Sequence, residues 1–267
     1  MGDMSLKIIA ASLALTAGLS ACSVKENRDD CPCITTVQFA GYTAEPVRAR
    51  FFDTVTGEKT GEFADIRYNP FHEMILEEVP VPRRQHRVDA WCGAGKSLVQ
   101  PDRIVALPGA ELDSVRTGSS PVDTRAEDAY ALVRLNRQYC EIRVDVVGAD
   151  AAYPFNFTVG GKVCGVIIKD GKPVDGEFRY DPKLDGGRFT VNVPRQHSGE
   201  NTLSLTVKDG NIVENVLPLG EFIAATGYDW DAESLVPVDI ILDYANAKVS
   251  VRVNDWGLGV VIDNYEI

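Results

Sequence analysis

From Ile34 onward the chain alternates apolar and polar residues at every second position, in runs of roughly four to nine residues. That period belongs to a half-buried β-strand, whose successive side chains point to opposite faces. Val37 and Phe39 alternate with Thr36 and Gln38, and Val47, Ala49 and Phe51 with Arg48, Arg50 and Phe52. Further strand-like runs cover 74–79, 87–92 and 130–135. A second series opens at Tyr139, with Ile142, Val144 and Val146 on one face and Glu141, Arg143 and Asp145 on the other. It continues through 155–159, 163–168, 188–193, 202–207, 236–242 and 248–253. Gly, Pro, Asn and Asp separate the runs, and Asp-Gly pairs at 170, 175, 185 and 209 mark tight turns. At Asp209-Gly210 a two-residue loop predicts Val207 opposite Ile212, with Leu205 facing Glu214. Only 218–228 reads as a short helix, with Phe222 and Ile223 as its apolar contacts.

Closely spaced strands with almost no helix predict an all-β chain of two tandem antiparallel β-sandwich domains. The boundary is expected near Asn136, giving sandwiches at 34–136 and 137–267. The polar stretch 109–128 reads as an exposed loop closing the first sheet.

Ahead of the strands, Lys7 precedes residues 8–19, an uncharged apolar run too short to span a bilayer. It ends in Leu19-Ser20-Ala21-Cys22, small residues followed by cysteine, the lipobox of bacterial lipoproteins. The expectation is a signal peptide over 1–21, covalent lipid on Cys22, and a polar tether over 22–33. About three acyl chains, at roughly 0.8 kcal/mol per buried methylene, make such an attachment effectively permanent. The plainer alternative is a secretory signal with Cys22 as an ordinary cysteine. Lys25-Glu26 and Asp29-Asp30 resemble the acidic signals that send some lipoproteins to the outer face of the outer membrane, or are simply a solvated linker.

The net charge of -12 argues against nucleic acid, which rewards dense lysine and arginine. With Cys22 carrying lipid, Cys31, Cys33, Cys92, Cys140 and Cys164 remain. Five is odd, and Cys140 and Cys164, on neighbouring predicted strands, are a candidate disulfide if the register allows. The histidines, His72, His86 and His197, are scattered singly, so no metal site is expected. Gly93-Ala94-Gly95-Lys96-Ser97 ends like a phosphate-binding loop, but Ala90 stands where the first glycine belongs. Neither Gly-x-Ser-x-Gly nor His-Glu-x-x-His occurs, and no enzyme activity, cofactor or small-molecule substrate is expected. Trp91, Trp230 and Trp256 are either core anchors or stacking platforms for sugar.

Cys22 followed by Ser-Val-Lys-Glu-Asn-Arg-Asp-Asp-Cys-Pro-Cys resembles the start of the FimB-like anchoring subunits of type V fimbriae. So do Cys140-Glu-Ile-Arg-Val-Asp-Val, Val238-Asp-Ile-Ile, Val249-Ser-Val-Arg-Val and Trp256. The resemblance implies transthyretin-like sandwiches, close to the immunoglobulin type, and an outer-membrane lipoprotein at the base of a fimbrium. It implies a fimbrial stalk subunit as partner, joined by strand exchange. In that family an anchor keeps its first strand, here 34–42, so growth stops there. The implied donor is part of 249–262, with Val249, Val251 and Val253 as groove-filling residues; an ordinary last strand of the second domain is the alternative. The competing function is a surface lipoprotein that captures glycans on exposed aromatics, and a third, an envelope hydrolase, needs two facing carboxylates. Asp53-Thr54-Val55 and Asp113-Ser114-Val115 also resemble a short O-glycosylation motif of envelope proteins.

Overall fold

A computed structural model describes residues 31–41, 45–69, 74–148, 155–210, 212–243, 248–253 and 259–262. The signal segment, Cys22, His72 and Trp256 lie outside the described residues. The first half contains β1 (Cys33–Ala40), β2 (Val47–Asp53), β3 (Lys59–Ile66), β4 (Tyr68–Asn69), β5 (Met74–Val81) and β6 (Gln85–Cys92). There follow β7 (Leu98–Val99), β8 (Arg103–Val105), β9 (Arg116–Asp123), β10 (Asp128–Arg134) and β11 (Asn136–Arg137). The second half adds β12 (Tyr139–Val147), β13 (Phe155–Ile167), β14 (Pro173–Tyr180), β15 (Arg188–Pro194), β16 (Ser204–Asp209) and β17 (Ile212–Leu217). The short helix α1 (Leu219–Ala225) precedes β18 (Val238–Asp243), β19 (Lys248–Val253) and β20 (Gly259–Ile262).

The chain is an all-β sandwich fold. One sheet runs β10-β1-β5-β4 and faces a second, β11-β9-β6-β2-β3. A third runs β15-β12-β18-β19-β20 and a fourth β17-β16-β13-β8-β7, with β14 paired to β13. Alternation decides what each strand buries: β1 turns Cys33, Thr35, Val37 and Phe39 inward, and β18 turns Val238, Ile240 and Leu242 inward. The first two sheets close over a core that includes Phe39, Phe51, Val88 and Val133. The last two close over a larger one that includes Ile142, Phe157, Phe189, Leu205 and Ile240, with Phe222 and Ile223 of α1 against it.

Among the described residues pairing is antiparallel except in two places, where β1 lies parallel to β10 and β12 parallel to β18. A parallel pair needs a long crossover. Here the crossover is most of a domain, because each pair joins the strand that opens a sandwich to one that comes late in it.

One segment ahead of the expected boundary near Asn136 joins the second sandwich. Residues 98–105, assigned from sequence to the first sandwich, pair with the second: Val105, Ile104 and Arg103 align with Gly165, Val166 and Ile167 of β13. The reason is a third apolar cluster at the junction. Trp91 of β6, Ile104 of β8, Leu112, Val115, Tyr139 of β12, Val166 and Ile168 bury one another there. Gly165 permits the approach, since a Cβ on it would stand 2.2 Å from the carbonyl oxygen of Ile104. Arg50 of β2 lies over the Trp91 ring at 4.6 Å and donates to the carbonyls of Gln100 and Pro101, both at 3.1 Å.

The stretch 109–128 is not a loop throughout. It contains β9, which pairs with β6 from Gln85↔Asp123 to Cys92↔Arg116. Its sequence hides this, because only Thr117 and Val122 are buried along it. Pro121 is tolerated because β11 covers the other side of β9 only at Arg116 and Thr117. The β16–β17 register also differs from expectation. Asp209 aligns with Ile212, so the turn comes one residue later, with Gly210 at φ 58°. A bulge between Val207 and Lys208 then sets buried Leu205 opposite buried Leu217 rather than Glu214.

Truncating Trp91 removes the largest side chain of the junction cluster. Trp91→Ala is expected to cost about 3–5 kcal/mol, read as a lowered midpoint in chemical denaturation.

Candidate functional site

The residues that bear on strand exchange occupy two sheets. β1 sits inside the first, antiparallel to β5 from Cys33↔Val81 to Phe39↔Ile75 and parallel to β10 from Ile34↔Asp128 to Ala40↔Arg134. It is therefore paired along both sides, and it carries four inward side chains into the core. The C-terminal strands lie at one edge of the third sheet. β19 pairs with β18 from Val238↔Val253 to Asp243↔Lys248, and β20 pairs with β19 from Arg252↔Gly259 to Val249↔Ile262. Val249, Val251 and Val253 point inward and are 0%, 1% and 6% exposed. The chain thus fills its own groove with the residues singled out as a candidate donor. Detaching β19 together with β20 breaks one strand pairing, β18–β19, and uncovers one side of the core.

Cys140 and Cys164 are not joined, and Cys31, Cys33, Cys92, Cys140 and Cys164 are all free thiols. Consecutive strands here belong to opposite sheets: β12 is in the third sheet and β13 in the fourth. Cys140 faces the core, where its thiol donates to the Val236 carbonyl at 3.5 Å, while Cys164 donates to the carbonyls of Val174 at 3.6 Å and Asp175 at 3.7 Å. Burial pushes the Cys140 thiol up to about 12, so it stays protonated and serves neither as nucleophile nor as metal ligand. Tyr228, which the sequence did not single out, donates to the same Val236 carbonyl at 2.8 Å. No group of three or more His, Cys, Asp or Glu side chains is placed to hold a metal ion among the described residues.

The turn at 93–97 does bind an anion through its backbone, but the anion is the protein's own. The amides of Lys96 and Ser97 both donate to Asp113 Oδ2 at 2.5 Å. Asp53 is likewise used structurally. Its Oδ1 accepts from the amides of Thr56 at 3.0 Å and Val55 at 2.8 Å, and Oδ2 from Arg84 at 3.1 Å. These donors, Thr56 and Val55 foremost, hold the carboxyl down at about 2. Thr54 donates to the Gln85 carbonyl at 3.0 Å, and Val115 of the second tripeptide is fully buried. Trp91 and Trp230 are buried, 1% and 4% exposed, and neither offers a face for sugar stacking.

The architecture defines a class: two β-sandwiches in tandem, sharing a junction cluster, each with its opening strand parallel to a late one. No protein-family model matches the sequence, and no curated protein does. Solved structures do match the fold. A Bacteroides thetaiotaomicron protein inferred to bind polysaccharide superposes with TM-score 0.64 at 16% identity, over 87% of this chain and 99% of that one. An inferred adhesin from the same organism gives 0.62 at 12% identity, over 87% and 98%. The fimbrial anchor protein Mfa2 from Porphyromonas gingivalis gives 0.58 at 15% identity, over 88% and 100%. At these identities the likeness establishes a shared fold.

Two outcomes follow from the placements. A thiol reagent applied to the native protein is expected to label exposed Cys31 promptly and Cys140 only on unfolding, read by peptide mapping. Asp53 has a folded pKa below its ordinary 3.8, so its contribution is full above that value and lost as pH falls toward about 2. Asp53→Asn is expected to flatten the acid limb of stability over that window.

Proposed function

We propose that this chain is the cell-surface base of a fimbrial filament. Lipid on Cys22 moors it to the outer membrane, β1 stays in place so that the first sandwich accepts no incoming strand, and the β19–β20 segment is exchanged with the adjoining stalk subunit. The observation that supports this most is the position of β19 and β20 at a sheet edge, with three alternate valines of β19 already acting as a groove filler. Main-chain hydrogen bonds supply affinity in strand addition, and alternate side chains in pockets supply specificity. The names of two neighbours, a fimbrial anchor from P. gingivalis and a fimbrial assembly protein from Parabacteroides distasonis, support the same reading. Capture of glycans on tryptophan platforms draws no support from Trp91 or Trp230, which are buried. No catalytic residue, cofactor or nucleic acid enters the proposal.

Ile241 and Ser250 are direct partners across β18 and β19. Facing Cα atoms in an antiparallel pair stand about 4.5–5.5 Å apart, within reach of a disulfide. In an Ile241→Cys, Ser250→Cys double variant, the oxidised protein is expected to remain membrane-bound but to lose its filaments, and reduction to restore them. Filaments held equally well by the oxidised form defeat the exchange. Separately, Cys22→Ala is expected to release the protein from the membrane fraction; retention at the wild-type level defeats the mooring.

A further inference from the structure

Between the two sandwiches lies a cleft of about 530 Å³, within the size range of small-molecule sites. It is walled by β9 and β10 of the first sandwich, by the β13–β14 turn of the second, and by residues 231–233. None of its residues belongs to β1, β19 or β20, so whatever it binds is independent of the filament reading.

Arg195, 6% exposed, lines the cleft. Its Nε donates to Gln138 Oε1 at 2.9 Å, Nη1 to the Trp230 carbonyl, and Nη2 to the Glu233 carbonyl at 3.2 Å. All three partners are neutral, and among the described residues no carboxylate pairs with this guanidinium. A guanidinium carries five N–H donors, so one remains on each terminal nitrogen. Burial works against its charge, offset in part by Tyr228, Asp231 and Asp229. Neither aspartate forms a hydrogen bond or ion pair with Arg195, and a buried cation whose hydrogen-bond partners are all neutral gains from an anion in direct contact.

The rest of the lining narrows the choice. Arg134 and Lys169 are exposed at the cleft and have no ion-pair partner among the described residues, while Lys172 pairs with Asp170 at 3.1 Å. With Asp231 and Glu233 included, four basic and three acidic side chains leave an excess of one positive charge, in a chain of net charge -12. That balance suits a monoanion, whereas three nearby carboxylates repel a phosphate dianion. Thr117 and Asn136 add hydrogen-bonding groups with no side-chain partner of their own among the described residues. We infer that this cleft binds a sugar acid, its carboxylate on Arg195 and its hydroxyls on the neutral polar lining.

Gly171 supports the arrangement. It takes φ 70° in the turn, and a Cβ there would come within 2.8 Å of the Gln138 oxygen that holds Arg195.

The purified full-length chain can be titrated with D-glucuronate, D-glucose, inorganic phosphate and trigalacturonate, using calorimetry. Glucuronate is expected to bind with Kd on the order of 1 mM, and glucose not to bind. Arg134→Ala and Lys169→Ala, both at exposed positions, are expected to weaken glucuronate several-fold with unchanged melting temperature, and Arg195→Met to abolish binding. Tighter binding of trigalacturonate assigns the site to a uronate polymer, and equal binding to a free or terminal sugar acid. The inference is overturned if glucuronate shows no saturable binding, if glucose or phosphate binds as tightly, or if Arg134→Ala and Lys169→Ala leave glucuronate binding unchanged.

Discussion

In each sandwich the opening strand lies between two partners, one antiparallel and one parallel, and the layer is complete only when that strand is in place. β1 joins β5 to β10, and β12 joins β15 to β18. Removing either splits a sheet down its length and exposes a core. Under the proposed role at the base of a filament, this is a useful constraint. A strand hydrogen-bonded along both edges is hard to displace, and one at the outer side of a sheet is easier to lose. The fold thus places a strand secured on both sides at the start of the first sandwich and an edge pair, β19 and β20, late in the second.

The second sandwich compensates for that arrangement by filling its own groove. Val249, Val251 and Val253 are as buried as any core residue, so the free chain does not present an open apolar slot to solvent. In the proposed exchange, a partner's strand would replace one set of strand contacts with an equivalent set. Such a trade leaves specificity to the pockets and demands little net energy.

The junction is what makes two sandwiches one body. Trp91 and Ile104 reach across from the first half of the chain to Val166 and Ile168, and Arg50 clamps the β7–β8 segment from the other side. The same juxtaposition creates the cleft and seats Arg195 in it. Under the proposed role, pull would pass from one sandwich to the other through these packed side chains rather than through a bare linker.

Periodicity alone determined the β character of the chain, the inward residues of β1 and β12, and the short helix around Phe222 and Ile223. Those features rest on a local rule, that alternate side chains share a face, so a linear sequence displays them. Residues 98–105 and β9 escaped it. Their burial comes from distant strands, and stretches such as Arg116-Thr117-Gly118-Ser119-Ser120-Pro121 carry too few apolar residues to announce a strand. Which sheet Cys140 and Cys164 join is likewise a matter of topology, since consecutive strands can enter opposite layers. Gln138 and Arg195 gave no signal at all, being single polar residues beside strands. Only the packing of one sandwich against the other buried that guanidinium among carbonyls and left a cleft in front of it.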